Sequence, residues 1–301
     1  MCGIVGLFLK KPELRPELGT LTARMLDVMT ERGPDSAGFA IYNAEPPGKR
    51  KLTLRIEADD ADLVMRLDEA LAVKVGDVVD IVRRDDHVVI RYPAEATGAV
   101  GNVMSALALG AVVVADGEAM ELYKGVGLPR DVTTRFGLAG MAGTHAIGHT
   151  RMATESAVTI AGAHPFSTGP DQCLVHNGSL SNHNALRRKL RSEGIRFSTE
   201  NDSEVAAGYL SWRMSQGARL DEALDAALGD LDGFYTFVVG TRTGFAVLRD
   251  PIACKPAVMV ETDDYVAFGS EYRALVDLPG VEHGRVFEPA PQTVYYWEHA
   301  A

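Results

Sequence analysis

The stretch that most constrains this chain is its start, Cys2-Gly3-Ile4-Val5-Gly6-Leu7-Phe8. Ile4, Val5, Leu7 and Phe8 read as a short buried strand that holds the preceding cysteine still. Gly3 and Gly6 leave room for a substrate against the backbone. If Met1 is removed, Cys2 carries a thiol and a free α-amine on one residue. Their reference pKa values are about 8.5 and about 8, so the amine can take the thiol proton directly or through one water. The alternative is a small buried hydrophobe, the usual state of a cysteine near a protein start.

Composition narrows the setting. A chain of 301 residues, 46% of them hydrophobic, can bury a large core as one domain or as one domain plus an insertion. Its net charge of −11 argues against a nucleic-acid or anionic-membrane partner. Cys2, Cys173 and Cys254 are widely spaced and form no C-x-x-C pair. That fits a reducing compartment and disfavours a disulfide framework or a structural zinc, so no metal site is expected. The apolar run 4–9 is too short for a secretory core or a membrane span, and a soluble, cytoplasmic protein is expected.

Apolar residues at Leu18, Leu21, Met25, Leu26 and Met29 predict a helix over 18–30. A glycine- and proline-punctuated loop follows, Arg32-Gly33-Pro34-Asp35-Ser36-Ala37-Gly38, and then a strand over 39–42. Pro46-Pro47-Gly48-Lys49-Arg50-Lys51 breaks the composition. Beyond it, residues 52–126 read strand, helix, strand, strand, helix, strand, the split βαβ or ferredoxin-like order, with a further short strand at 120–123. This segment holds no paired carboxylates, clustered histidines or phosphate loop. A structural or partner-facing role is expected for it.

The informative stretch is Gly143-Thr144-His145-Ala146-Ile147-Gly148-His149-Thr150-Arg151-Met152-Ala153-Thr154. His145 and His149 have the spacing of a helical metal pair, but the alternation predicts a strand, which splays them along its length. Arg151 at the strand end presents a rigid fork suited to a carboxylate, with a surface ion pair as the alternative. His164 reads as a structural support or a site-lining residue. Cys173-Leu174-Val175-His176-Asn177-Gly178 reads as a buried strand ending in an Asn-Gly turn, with Cys173 in the core. The Asn177 amide and the Gly178 N–H are two donors fit to cradle an oxyanion. Asp202 and Ser203 are natural caps for a helix over 205–216, and Asp202 is also placed to receive an ammonium. Helices are further predicted over 181–194 and 220–231, and strands over 235–240, 245–249, 257–260, 265–269 and 293–297.

These residues, in this order, resemble the class II glutamine amidotransferases, whose fold is that of the N-terminal nucleophile hydrolases. The segments carrying the resemblance are Cys2-Gly3-Ile4-Val5-Gly6, Arg32 to Gly38, Gly148-His149-Thr150-Arg151, Ala163-His164-Pro165, His176-Asn177-Gly178 and Asp202-Ser203-Glu204. Gly269-Ser270-Glu271 is similar to the segment that closes the family's domain. The resemblance implies an α+β fold, a four-layer αββα sandwich spanning 1–301, with 52–126 inserted as a small α/β segment. It implies that Cys2 attacks the glutamine carboxamide and that Asn177 and Gly178 hold the oxyanion. Arg151 would bind the α-carboxylate, Asp202 the α-ammonium, Arg32 would brace the nucleophile loop, and His164 would line or support the substrate pocket. Met152 departs from the aromatic that often follows this arginine in relatives.

The amidotransferase part is expected to end with the chain, so the resemblance implies a separate partner synthase that consumes the ammonia. A finer resemblance is to the amidotransferase-like subunit of glutamate synthase-related complexes, N-methylglutamate synthase among them. It rests on residues 121–129 running into 143–156. Flavin and iron–sulfur chemistry would then belong to the partners, and no cofactor is expected here: the chain has no cysteine cluster and no dinucleotide fingerprint. Two other readings of the same fold are a free-standing amide hydrolase and a non-catalytic assembly or glutamine-sensing subunit.

Overall fold

The computed structural model describes residues 2–43, 45–56, 61–76, 79–107, 111–153 and 158–299. The chain runs β1 (Gly3–Leu9), α1 (Leu18–Val28) and β2 (Ser36–Tyr42) before entering the insertion. The insertion holds β3 (Lys49–Arg55), α2 (Ala61–Val75), β4 (Asp80–Arg84), β5 (His87–Pro93), α3 (Thr97–Ala106) and β6 (Val112–Gly117). The chain returns through β7 (Met120–Val126), α4 (Pro129–Phe136), β8 (His145–Arg151), β9 (Phe166–Gly169) and β10 (Gln172–Leu180). Three helices follow, α5 (His183–Ser192), α6 (Asp202–Ser215) and α7 (Leu220–Asp230). The closing strands are β11 (Gly233–Gly240), β12 (Gly244–Arg249), β13 (Val258–Glu261), β14 (Tyr265–Gly269), β15 (Arg285–Phe287) and β16 (Val294–Glu298).

Two sheets build the body, ordered β15-β13-β14-β1-β8-β2-β7 and β16-β12-β11-β10-β9. The alternation of β1 explains why they stack. Val5, Leu7 and Leu9 pack with Leu21, Met25 and Leu26 of α1, while Ile4 and Phe8 point the other way, onto Val175, Val238 and Phe245 of the second sheet. The far face of that second sheet is covered by Val205, Tyr209 and Leu210 of α6 and Ala223 and Leu224 of α7. Both faces of both sheets are therefore paired, and the result is the α+β, four-layer αββα sandwich.

The insertion forms its own four-stranded sheet, β4-β5-β3-β6, with a separate core of Leu54, Leu67, Leu71, Val88 and Ile90. All pairings in it are antiparallel, and β3 lies between β5 and β6. Buried charge joins it to the body. Lys51 on β3 is 1% exposed, and its ammonium lies 3.1 Å from Glu121 of β7 and 3.2 Å from Glu45. Arg91 of β5 reaches the same Glu121 at 2.9 Å. Asp171 then ties the β6–β7 hairpin to the second sheet: its carboxylate accepts from the N–H groups of Glu118, Ala119 and Met120 at 2.7, 2.8 and 2.9 Å.

Several elements depart from the sequence expectations. α4 was not anticipated; Pro129 starts it and Gly137, at φ 70°, ends it, but its eight residues are too few for a clear period. The short strands β9 and β15 escaped for the same reason. The helix expected over 205–216 starts three residues earlier, and its cap is Asn201, whose side chain accepts from Ser203 N at 2.8 Å, instead of Asp202 or Ser203. The predicted start of a strand at Val78 and end of a helix at Leu109 lie outside the described residues.

Candidate active site

The site grows from one row of paired strand ends. Gly3 pairs with Thr150, so Cys2, one residue before β1, falls beside the end of β8, where Arg151 pairs with Ser36 of β2. Cys2 is partly buried. Met1, whose removal the sequence reading invokes, lies outside the described residues. The Cys2 carbonyl accepts from Arg32 Nε at 2.9 Å and from Asn177 Nδ2 at 3.4 Å. Cysteine, arginine and asparagine, separated by up to 175 positions in sequence, thus meet on one oxygen.

Arg32 is buried, and its Nη1 continues to Glu271 at 2.7 Å. Its guanidinium bonds the backbone of Cys2 and that carboxylate, largely away from solvent. The loop after it is pressed against β8: a side chain at Gly33 would collide with the Arg151 backbone. Asp35 N donates to Arg151 O at 3.1 Å, and its carboxylate accepts from Ala153 N at 2.7 Å. Arg151 is held by its backbone on both sides. The final residues of the 143–156 stretch, Thr154, Glu155 and Ser156, lie outside the described residues.

Asn177 and Gly178 do not form a turn. β10 continues through them to Leu180, with Asn177 opposite Thr236 and Gly178 opposite Tyr235. Pairing with β11 overrides the local Asn-Gly preference. The glycine is needed for another reason: Gly178 has φ 148°, and a side chain there would run into the Phe234 carbonyl. On this strand Cys173 and Val175 face the space between the sheets, so Asn177 faces it too, toward Cys2.

Asp202 stands at the first turn of α6, partly exposed. One carboxylate oxygen accepts from Leu180 N at 2.9 Å, and the other lies 3.3 Å from Ser203 Oγ. The Asp202 carboxylate is therefore fixed just past the end of the Asn177-Gly178 segment. Below it, the His176 ring shares a 2.8 Å hydrogen bond with Ser203 Oγ, and burial pushes its pKa down to about 4.

A second row of the sheet lies one step inward: Ile4, His149, Gly38 and Lys124 are successive partners across β1, β8, β2 and β7. Gly38 has no side chain, and the His164 carbonyl takes up that space, while the His164 ring is stacked on His149 at 4.0 Å and edge-on to Phe166 at 4.9 Å. His164 is 6% exposed. His149 donates from Nε2 to His176 O at 3.1 Å, and burial lowers its pKa to about 3. Lys124 donates to Ala163 O at 3.1 Å, and desolvation brings its pKa down to about 8. His145 lies in the same strand as His149, its Nε2 bonded to Thr241 O at 2.9 Å. Among the described residues no cluster of three or more His, Cys, Asp or Glu is arranged to hold a metal. None of the described helices is long and apolar enough to cross a membrane.

Ser270 and Glu271 are the residues that sequence reading left without a role. Ser270 Oγ accepts from Ile4 N at 2.9 Å, and Ser270 N donates to Ile4 O at 2.9 Å, so the end of β14 grips the start of β1. The only signal for this was the Gly269-Ser270-Glu271 match, which carries no chemistry by itself.

Residues 149–277 match the family model described as a glutamine amidotransferase domain. The chain is 58% identical over 99% of its length to the glutamine amidotransferase-like protein GlxB of Rhizobium meliloti, 99% of which is covered. It is 33% identical to a putative glutamine amidotransferase of Methanothermobacter thermautotrophicus, with 98% of this chain and 99% of the relative aligned. Among solved structures, the allosteric regulatory enzyme of purine biosynthesis superposes with a TM-score of 0.64 at 20% identity. That superposition takes in 99% of this chain but 47% of the other, so the shared part is the fold of about half the larger molecule.

Proposed function

Because this chain belongs to the class II glutamine amidotransferases, we propose that it hydrolyses the side-chain amide of glutamine through a thioester on Cys2 and delivers the ammonia to a partner synthase. The observation that carries the reading is the Cys2 carbonyl shared by Arg32 and Asn177, which sets the thiol-bearing residue against an amide donor.

The steps follow from the groups present. With Met1 removed, the Cys2 α-amine takes the thiol proton, and the sulfur adds to the glutamine Cδ. The carbonyl electrons move to oxygen, which is stabilised by Asn177 Nδ2 and the Gly178 N–H. Collapse breaks the C–N bond as the ammonium of Cys2 returns its proton to the leaving nitrogen, releasing ammonia. Water then adds to the thioester, its proton passing to the amine, and glutamate leaves as the C–S bond breaks. Arg151 at the end of β8 and Asp202 at the start of α6 carry opposite charges, which suits the carboxylate and ammonium of a free amino acid. Arg32 braces the nucleophile.

The acceptor subunit in this proposal is of the glutamate synthase-related kind, N-methylglutamate synthase included, and it brings any flavin or iron–sulfur centre. The inserted sheet over 49–117, with its own core and no visible chemistry, suits a docking surface for it; residues 120–126, read from the sequence as part of the insertion, belong to the body sheet as β7. Intact mass of the native protein and a glutaminase assay test the core of the reading. The expected result is a chain lacking Met1, and turnover abolished in Cys2→Ala; measurable turnover in that variant sinks the thioester. Co-purification with and without the inserted sheet, residues 49–117, tests the partner.

A further inference from the structure

The Cys2 carbonyl has two donors of unequal strength. Arg32 Nε at 2.9 Å makes an ordinary bond, whereas Asn177 Nδ2 at 3.4 Å sits at the outer limit. Asn177 is the donor that the oxyanion requires, so a second, firmer donor on Cys2 O leaves it free to turn. Arg32 in turn is held from behind. Its Nη1 donates to Glu271 Oε1 at 2.7 Å, Arg273 Nε lies 2.6 Å from Glu271 Oε2, and Arg273 Nη1 donates to Glu31 Oε2 at 2.8 Å. The neighbouring Ser270 pins Ile4 through both its N–H and its carbonyl. Two adjacent residues at the end of β14 thereby fix the nucleophile, one directly through the backbone and one through an arginine.

Resting on the amide-hydrolase reading above, we propose that Glu271 is a positioning residue for Cys2. It holds the Arg32 guanidinium on the Cys2 carbonyl and neutralises its charge beside the α-amine. Glu271 pairs with Arg32 and Arg273 on the nucleophile's side of the site, so its loss acts on the chemical step and not on the amino-acid head. An Arg32 charge left uncompensated disfavours a protonated amine nearby, which lowers the pH at which the amine becomes a base.

Steady-state kinetics on the full chain with glutamine, from pH 5 to 9, test this. Glu271→Ala is expected to lower kcat about tenfold or more with KM within about twofold, because position and not affinity is lost. Glu271→Gln keeps the shape and an acceptor for Arg32, and is expected to move the acid limb of kcat/KM down by about half a unit. Should the alanine variant fail to fold, the glutamine variant decides. An unmoved acid limb in Glu271→Gln, or a KM that rises in step with any fall in kcat, overturns the proposal. Wild-type protein without glutaminase activity would instead sink the reading beneath it, so the two failures are distinct.

Discussion

At the scale of single residues, the chemistry is divided between groups that stay charged and groups that burial keeps neutral. Replacing Asn177 by alanine should lower kcat by about a hundredfold or more while KM changes little, because its donor is used only once charge appears on the oxygen. Single-turnover and steady-state assays with glutamine read this directly. His145, His149 and His176 are buried with pKa values of about 3, about 3 and about 4. In the unfolded chain they titrate near about 6.5, so below that pH the unfolded state binds protons the fold refuses. Their contribution to stability is complete above about pH 6.5 and is lost as pH falls toward the folded values. The melting temperature should therefore fall between about pH 6.5 and 5, before most carboxylates titrate. A flat profile there would refute it. Cys2, Arg32, Arg151, Asn177 and Asp202 could be singled out in the sequence because each is a reactive type beside a glycine, a strand end or a helix start. Glu271 lay in a matching segment but had no role to read, because an acid there looks like any surface acid until an arginine is found on it.

At the scale of elements, periodicity was enough where a strand or helix packs one face. The apolar alternation of β1 and the helical spacing of α1 both survive in the structure, to within a few residues at the ends. It failed where tertiary pairing overrules local preference. Asn177-Gly178 has the chemistry of a turn, yet both residues are paired with β11. Asp171 shows the reverse, a turn residue with a long-range task. It sits at φ 52° and accepts the N–H groups of Glu118, Ala119 and Met120 in the β6–β7 hairpin. Asp171→Ala strands those donors in a buried place, and about 2–4 kcal/mol of stability should be lost. Urea unfolding measures it; a change under about 0.5 kcal/mol would mean water replaces the carboxylate at no cost.

At the scale of the whole molecule, the layered body was expected from the family resemblance, and the separate sheet of the insertion could be read from its strand and helix order. What joins them could not: Lys51, Arg91, Glu45 and Glu121 come from both parts and look in sequence like solvated charge. Lys51→Met should destabilise the protein by about 3–5 kcal/mol, because it leaves two carboxylates short of a buried cation. Lys51→Met with Glu121→Gln should recover part of that loss, and thermal melts of the two variants provide the check. The sheet order has a further consequence for how such a protein is made. β1 is closed on one side by β14, whose Tyr265–Gly269 are translated near the end of the chain. At about 5–20 residues per second, a ribosome needs roughly 13 to 50 s to deliver them. For that interval β1 lacks one of its two sheet neighbours, so the cysteine ahead of it meets a finished sheet only once the last strands are made.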